Sequence, residues 1–118
     1  MSVYPIVLSQ NQFLHKDKLS FPFEERGLQF GDGVYEVISI YHGTYHLFDE
    51  HIDRLYRSLE AIKIDFPYEK DEFKKSLLEL LERNNMKSDG KVYLQVTRGS
   101  ATRDHVFPEN TEPNVYAY

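Results

Sequence analysis

The feature that most constrains the fold is the alternation of side chains along residues 34–41. Successive side chains of a β-strand point to opposite faces, so this segment separates into two sets. One face would carry Val34, Glu36, Ile38 and Ile40, and the other Tyr35, Val37, Ser39 and Tyr41. Residues 91–98 alternate in the same way. The chain is therefore built around two long strands of a sheet.

Shorter extended segments surround these two strands. Residues 6–8 and 13–14 flank a polar turn and predict a pair of strands. Residues 42–43 predict a tight hairpin turn, after which residues 44–48 return beside the first long strand. Residues 114–118 begin another strand, and the sequence stops within it, so we expect the chain to be truncated.

Two helices are predicted between the long strands. Asp49 has the character of an N-cap, and apolar residues follow it at helical spacing: Ile52, Leu55, Tyr56, Leu59 and Ile62. A second helix is predicted from Lys70 to Asn84, and its apolar side would carry Phe73, Leu77, Leu78 and Leu81. Strands, two helices and further strands predict an α+β domain, with a largely antiparallel sheet on which the two helices pack.

Composition limits the classes of function. The net charge of −5 argues against a chain that binds nucleic acid or a membrane surface through an overall field. The absence of cysteine excludes disulfides and thiolate nucleophiles, and it suits a cytoplasmic protein. The first residues predict no signal peptide, and no apolar run reaches the length of a membrane helix. The histidines lack the spacing of metal ligands, so we predict no metal.

Several residues could bind an anionic ligand. Tyr35 could donate its hydroxyl to a carboxylate or a cofactor oxygen, or it could be an ordinary aromatic residue of the sheet. Arg54 lies on the core side of its helix by spacing, and its planar fork suits a phosphate. The alternatives for Arg54 are an ion pair with Glu50 or Glu36 and a simple surface position near Asp53 and Arg57.

A cationic cluster follows the second long strand. Arg98, Arg103 and His105 surround a loop that contains a glycine, and the side chains at 103 and 105 could converge on a carboxylate. The alternative is a mobile, solvated loop. The glycines around Asp32 allow a ligand to approach closely, or they form a tight turn before the strand.

Three motifs together resemble the N-terminal part of the D-amino acid aminotransferases, within the class IV family of pyridoxal-phosphate-dependent enzymes. They cover nearly the whole chain, in order: Arg26-Gly27-Leu28-Gln29-Phe30-Gly31-Asp32-Gly33-Val34-Tyr35-Glu36; Glu50-His51-Ile52-Asp53-Arg54-Leu55; and Gln95-Val96-Thr97-Arg98-Gly99 with Arg103, His105 and Phe107-Pro108. Leu28 replaces a tyrosine that is common in this branch.

The resemblance implies a role for each matching position. Arg54 would bind the phosphate of the pyridoxal 5'-phosphate cofactor. Tyr35, Arg103 and His105 would hold the substrate α-carboxylate, the latter two reaching across a homodimer interface into the partner's site. The implied reaction moves the amino group of D-alanine to 2-oxoglutarate and forms D-glutamate.

The resemblance also implies what residues 1–118 lack. The family's Schiff-base lysine lies in a second domain, beyond Tyr118, and none of the eight lysines here matches it. We therefore expect residues 1–118 to be the N-terminal small domain, with no catalytic residue of its own and no activity alone. Alternatives are a relative of the branched-chain aminotransferases or aminodeoxychorismate lyases, and a non-catalytic module that binds phosphate or another anion.

Overall fold

The computed structural model describes residues 3–118. Its strands are β1 (Ile6–Ser9), β2 (Gln12–His15), β3 (Gly33–Tyr41), β4 (Thr44–Tyr45), β5 (Gly90–Thr97) and β6 (Asn114–Ala117). Its helices are α1 (Arg26–Phe30), α2 (Phe48–Ala61) and α3 (Lys70–Arg83), and Lys16–Lys18 form a 3₁₀ turn. The strands make one six-stranded sheet in the order β2-β1-β6-β5-β3-β4, and every neighbouring pair is antiparallel. The predicted α+β class is confirmed.

The alternation of β3 decides which side of the sheet is buried. Glu36, Ile38 and Ile40 lie on the face that α2 and α3 cover, and all three are buried. Tyr35 and Val37 point to the other face and are exposed. The neighbouring strand β5 follows the same rule, because the register pairs Tyr35 with Gln95 on the open face. The predicted separation of the two faces is confirmed.

The two long helices bury one face each against the sheet. The buried residues of α2 are Ile52, Leu55 and Leu59, and those of α3 are Phe73, Leu77 and Leu80. The prediction that Leu78 belongs to this buried face was wrong, because one residue advances the helix by 100° and carries Leu78 away from Leu77 to an exposed position. No helix within residues 3–118 is long and apolar enough to cross a membrane.

The prediction that Asp49 is the N-cap of α2 was also wrong. Leu47 is the cap residue, it takes a left-handed conformation at φ 53°, and no side chain caps the helix. Phe48 then begins the helix with its ring stacked on Tyr45, 4.6 Å between centroids. Asp49 lies in the first turn instead, where the helix dipole favours a carboxylate and where it forms an ion pair with Lys74 of α3.

The glycine-punctuated stretch before β3 contains a helix that the sequence analysis treated as a turn. Glu25 caps α1 by accepting a hydrogen bond from the backbone N–H of Gly27 (2.8 Å), and the five-residue helix ends at Gly31, where φ is 63°. Helices commonly end at a residue in the left-handed conformation, and glycine is the usual residue there. This short helix places Phe30 and Asp32 beside the loop of residues 99–113.

That loop has little regular structure, and its backbone is held to the segment that contains α1. The N–H of Arg26 donates to the carbonyl of Gly99 (2.8 Å), and the N–H of Ala101 donates to the carbonyl of Glu24 (3.0 Å). Gly99 has φ 121°, a conformation that side chains rarely adopt, and a Cβ there would collide with the backbone carbonyl of Glu112.

We expect Gly99→Ala to lower the free energy of unfolding by about 2–4 kcal/mol, because both the left-handed backbone and the collision oppose a Cβ. Gly31→Ala is the matched control, since its φ is also positive but a Cβ there meets nothing within 4 Å. Strain alone should cost this control about 1 kcal/mol. Urea unfolding of the two variants measures the difference, and equal losses would show that the collision has no effect.

Candidate functional site

A buried carboxylate organises one candidate site. Glu36 is 4% exposed and lies on the helix-covered face of β3. Its two oxygens accept hydrogen bonds from Nε and Nη2 of Arg54, both at 2.8 Å, and Oε1 also accepts from Nδ1 of His51 at 2.8 Å. His51 and Arg54 reach the same carboxylate because residues three apart share one side of a helix.

Arg54 is held along one edge and exposed elsewhere. The sequence analysis placed it on the core side of its helix, which was wrong: its side chain is 60% exposed, and only the edge that carries Nε and Nη2 meets Glu36. The alternative of an ion pair with Glu36 is confirmed. An arginine fixed by a buried carboxylate keeps its charge and its orientation, and the hydrogen bond and charge of Glu36 raise the pKa of the guanidinium further. Such a group can bind a second anion with its free donors.

The protonation state of Glu36 follows from these contacts. Burial alone would raise the pKa of this carboxyl group, but hydrogen bonds from Arg54 and His51, together with their charges, outweigh burial and hold the pKa below its usual value of 4.5. Glu36 is therefore ionised at neutral pH, and its carboxylate acts only as an acceptor.

We expect Glu36→Gln to lower the midpoint of urea unfolding at pH 7. Because the folded pKa lies below the unfolded value of 4.5, the stabilising contribution is complete above that pH and is lost as the pH falls through the folded pKa. The difference between wild type and Glu36→Gln should therefore shrink below about pH 4.5. Glu60→Gln, an exposed position on α2, is the control, and a constant difference across this range would contradict the assignment.

A second polar cluster joins three segments. Asp32, directly after α1, accepts hydrogen bonds at the single oxygen Oδ2 from Nε of Arg26 (2.7 Å) and Nε of Arg98 (2.9 Å). Both arginines are buried, and Arg26 is only 2% exposed. A buried arginine needs anionic or carbonyl partners, and this cluster supplies both kinds.

Arg98 has different partners from Arg103 and His105, with which it was expected to form one cationic cluster. Its Nη1 and Nη2 donate to the backbone carbonyls of Lys63 (3.0 Å) and Ile62 (2.7 Å), just past the end of α2. The carbonyl end of a helix carries partial negative charge, which favours an arginine there. Arg98 is thus a structural residue that connects Asp32 to α2.

Arg103 and His105 do lie together, because both contact the same aromatic ring. The guanidinium carbon of Arg103 is 5.3 Å from the centroid of Phe30, and the ring of His105 is 5.2 Å from it. Both side chains are exposed. The carbonyl of Asp104, between them, accepts a hydrogen bond from Nη1 of Arg26 at 2.6 Å. One carbonyl in the middle of the loop is therefore bound to a buried arginine, while the side chains around it are exposed to solvent, as the alternative of a solvated loop expected.

Tyr35 lies on the open face of the sheet, opposite to its neighbour Glu36. Its side chain is exposed, and its ring stacks on Tyr93 of β5 at 6.0 Å. The hydroxyl of Tyr93 donates to Oε1 of Gln95 (2.6 Å). Tyr35 therefore lies beside a hydrogen-bonded pair of polar groups on the open face of the sheet.

The candidate residues fall in three places rather than one. Arg54 lies with Glu36, Tyr35 lies on the open face, and Arg103 and His105 contact Phe30. Within residues 3–118, no hydrogen bond or aromatic contact joins Arg103 or His105 to Tyr35 or Arg54, and no three carboxylate or imidazole side chains group as a metal site.

Comparison with known proteins identifies the family. The family model of amino-transferase class IV matches residues 33–118. The chain is 46% identical over 112 residues to a D-alanine aminotransferase of Bacillus licheniformis, a match that covers 95% of this chain and 39% of that protein. The chain thus spans less than half the length of this curated relative.

Solved structures share the fold. The branched-chain amino acid aminotransferase of Escherichia coli superposes with a TM-score of 0.91 at 15% identity, covering 98% of this chain and 40% of that one. A branched-chain amino acid aminotransferase of T.th., complexed with N-(5'-phosphopyridoxyl)-L-glutamate, gives a TM-score of 0.89 at 16% identity and covers 99% and 40%. The chain belongs to the class IV aminotransferase family.

Proposed function

We propose that residues 1–118 are the N-terminal small domain of a pyridoxal-phosphate-dependent D-amino acid transaminase that moves the amino group of D-alanine to 2-oxoglutarate. The protein would be a cytoplasmic homodimer. The D-alanine aminotransferase of B. licheniformis supports the substrate class, and the complex with N-(5'-phosphopyridoxyl)-L-glutamate supports a phosphorylated pyridine cofactor. The Schiff-base lysine would lie in a second domain, beyond Tyr118.

The observation that carries the proposal is the buried Glu36 with Arg54 bound along one edge. A phosphate group needs a cation that is fixed in direction and still accessible, and Arg54 meets both conditions through Glu36 and its 60% exposure. His51 shares the carboxylate and limits its rotation. These residues fit the phosphate of pyridoxal 5'-phosphate, and we assign Arg54 to that phosphate.

The remaining residues of the proposed site act on the substrate. When bound, the cofactor supplies an electron sink for the carbon that carries the amino group. Arg103 and His105, side by side around Phe30, would bind the α-carboxylate by charge and hydrogen bonds, and the Tyr35 hydroxyl would donate to the same group. With the carboxylate held, only one enantiomer of the substrate would present its single α-hydrogen to a base in the second domain.

The test is turnover by the full-length protein as its host makes it, supplied with pyridoxal 5'-phosphate. We expect D-alanine and 2-oxoglutarate to give pyruvate and D-glutamate, with L-leucine and aminodeoxychorismate as the competing substrates. Preference for L-leucine or for aminodeoxychorismate would move the protein to another branch of the family. No turnover, with phosphate-ester binding that depends on Arg54, would favour the anion-binding module.

A further inference from the structure

The loop of residues 99–113 has little regular structure, yet it carries the two residues proposed to bind the substrate carboxylate. Binding by Arg103 and His105 requires that the backbone between them keep one position, because an ordered arginine loses less entropy when it binds. The backbone hydrogen bonds of Gly99 and Ala101 hold only the start of the loop. Something else must hold its middle.

Arg26 donates a hydrogen bond to the middle of the loop, and the Phe107 ring farther along lies 3.6 Å from the guanidinium carbon of Arg98. The Arg26 guanidinium donates from Nε to Asp32 (2.7 Å) and from Nη1 to the carbonyl of Asp104 (2.6 Å), and its carbon lies 4.7 Å above the Phe30 ring. Asp104 is the residue between Arg103 and His105. Because Arg26 is almost fully buried, these hydrogen bonds are shielded from water.

The same cluster connects the loop to the helix that carries Arg54. Asp32 binds Arg26 and Arg98 at one oxygen, and Arg98 in turn binds the two carbonyls just past the end of α2. A chain of charge-assisted hydrogen bonds thus runs from α2 to the carbonyl of Asp104. The two proposed binding regions would therefore keep a fixed relation to each other within one protomer.

We propose that Arg26, seated on Phe30, is a positioning residue that holds Arg103 and His105 for the substrate carboxylate; this inference rests on the proposed function. Arg26 itself contacts neither substrate nor cofactor in this scheme. A planar guanidinium supplies two donors in a fixed fork, whereas a lysine has one ammonium that cannot hold Asp32 and Asp104 in the same geometry. A lysine, which restores only the positive charge, should therefore not replace Arg26 in this role.

The test is Arg26→Lys in the full-length protein. We expect trypsin to cleave after the exposed Arg103 about tenfold faster, because the loop loses the hydrogen bond to the Asp104 carbonyl and opens more often. We expect the KM for D-alanine to rise about tenfold while kcat changes less than about twofold. Arg57→Lys, an exposed arginine of α2, is the control and should change neither quantity.

Two outcomes would overturn the inference. One is a wild-type rate of cleavage after Arg103 in folded Arg26→Lys, and the other is a loss of kcat with an unchanged KM, which indicates a merely structural role. Cleavage by trypsin needs no turnover of D-alanine, so it tests how firmly the loop is held even if D-alanine is not a substrate. Absence of D-alanine turnover in the wild type would instead refute the proposed function.

A second pair of variants serves if Arg26→Lys does not fold. Phe30 is only partly buried, so its substitution is less disruptive, and its ring contacts Arg26, Arg103 and His105. Phe30→Leu should raise both the rate of cleavage after Arg103 and the KM, whereas Phe30→Tyr keeps the ring and should behave like the wild type. Wild-type behaviour of Phe30→Leu would contradict the inference.

Discussion

Arg54→Ala should weaken the binding of pyridoxal 5'-phosphate to the full-length protein about 100-fold, because the phosphate loses a charged donor that Glu36 holds in place. The affinity of Arg54→Lys should fall between those of the wild type and Arg54→Ala, since lysine keeps the charge but not the planar fork. Titration of the cofactor-free protein with pyridoxal 5'-phosphate, followed by absorbance, measures the affinity.

The titration must distinguish the loss of a phosphate contact from damage to the fold. Arg54→Ala leaves the Glu36 carboxylate buried with only His51 beside it, which is destabilising by itself. The double variant Glu36→Gln, Arg54→Ala removes that carboxylate charge, and it should bind the cofactor as weakly as Arg54→Ala. Arg57→Ala, three residues along the same helix, should bind like the wild type. Wild-type affinity in the double variant would remove Arg54 from the phosphate site.

The elements that the sequence predicted correctly are those that depend on local periodicity. Strands β3 and β5 and helices α2 and α3 each repeat an apolar pattern over many residues, so their existence and approximate ends follow from the pattern alone. The errors lie where tertiary contacts override a local preference. Leu47 caps α2 in place of Asp49 because the hairpin brings Phe48, the first residue of the helix, onto Tyr45.

The polar networks of the candidate site were less accessible to sequence reasoning. The ion pair of Arg54 with Glu36 joins positions 18 residues apart. The sequence offered it among the alternatives for Arg54, because the strand period assigns Glu36 to one face of β3 and the helix period assigns Arg54 to one side of α2. The contacts of Arg98 with Asp32 and of Arg26 with Asp104 span 66 and 78 residues. No periodicity links positions so far apart, so the sequence analysis grouped Arg98 with the wrong residues and gave Arg26 no role of its own.

Within residues 3–118, no hydrogen bond or aromatic contact joins Arg103 or His105 to Tyr35 or Arg54, which suits the proposal that Arg103 and His105 complete the partner's site across a homodimer interface. A hybrid dimer distinguishes the two arrangements. Arg54→Ala and Arg103→Ala homodimers should each have little D-alanine activity. If Arg103 acts in the partner's site, a heterodimer of the two variants contains one site with both arginines intact.

We therefore expect the heterodimer to recover about half of the wild-type activity, because one of its two sites is complete. If Arg103 acts within its own protomer, both sites of the heterodimer lack one arginine, and no activity should return. Coexpression of two differently tagged variants and purification through both tags isolates the heterodimer, and a doubly tagged Arg54→Ala dimer is the control. Recovery in the heterodimer alone requires that each site draw its cofactor arginine and its carboxylate arginine from different protomers.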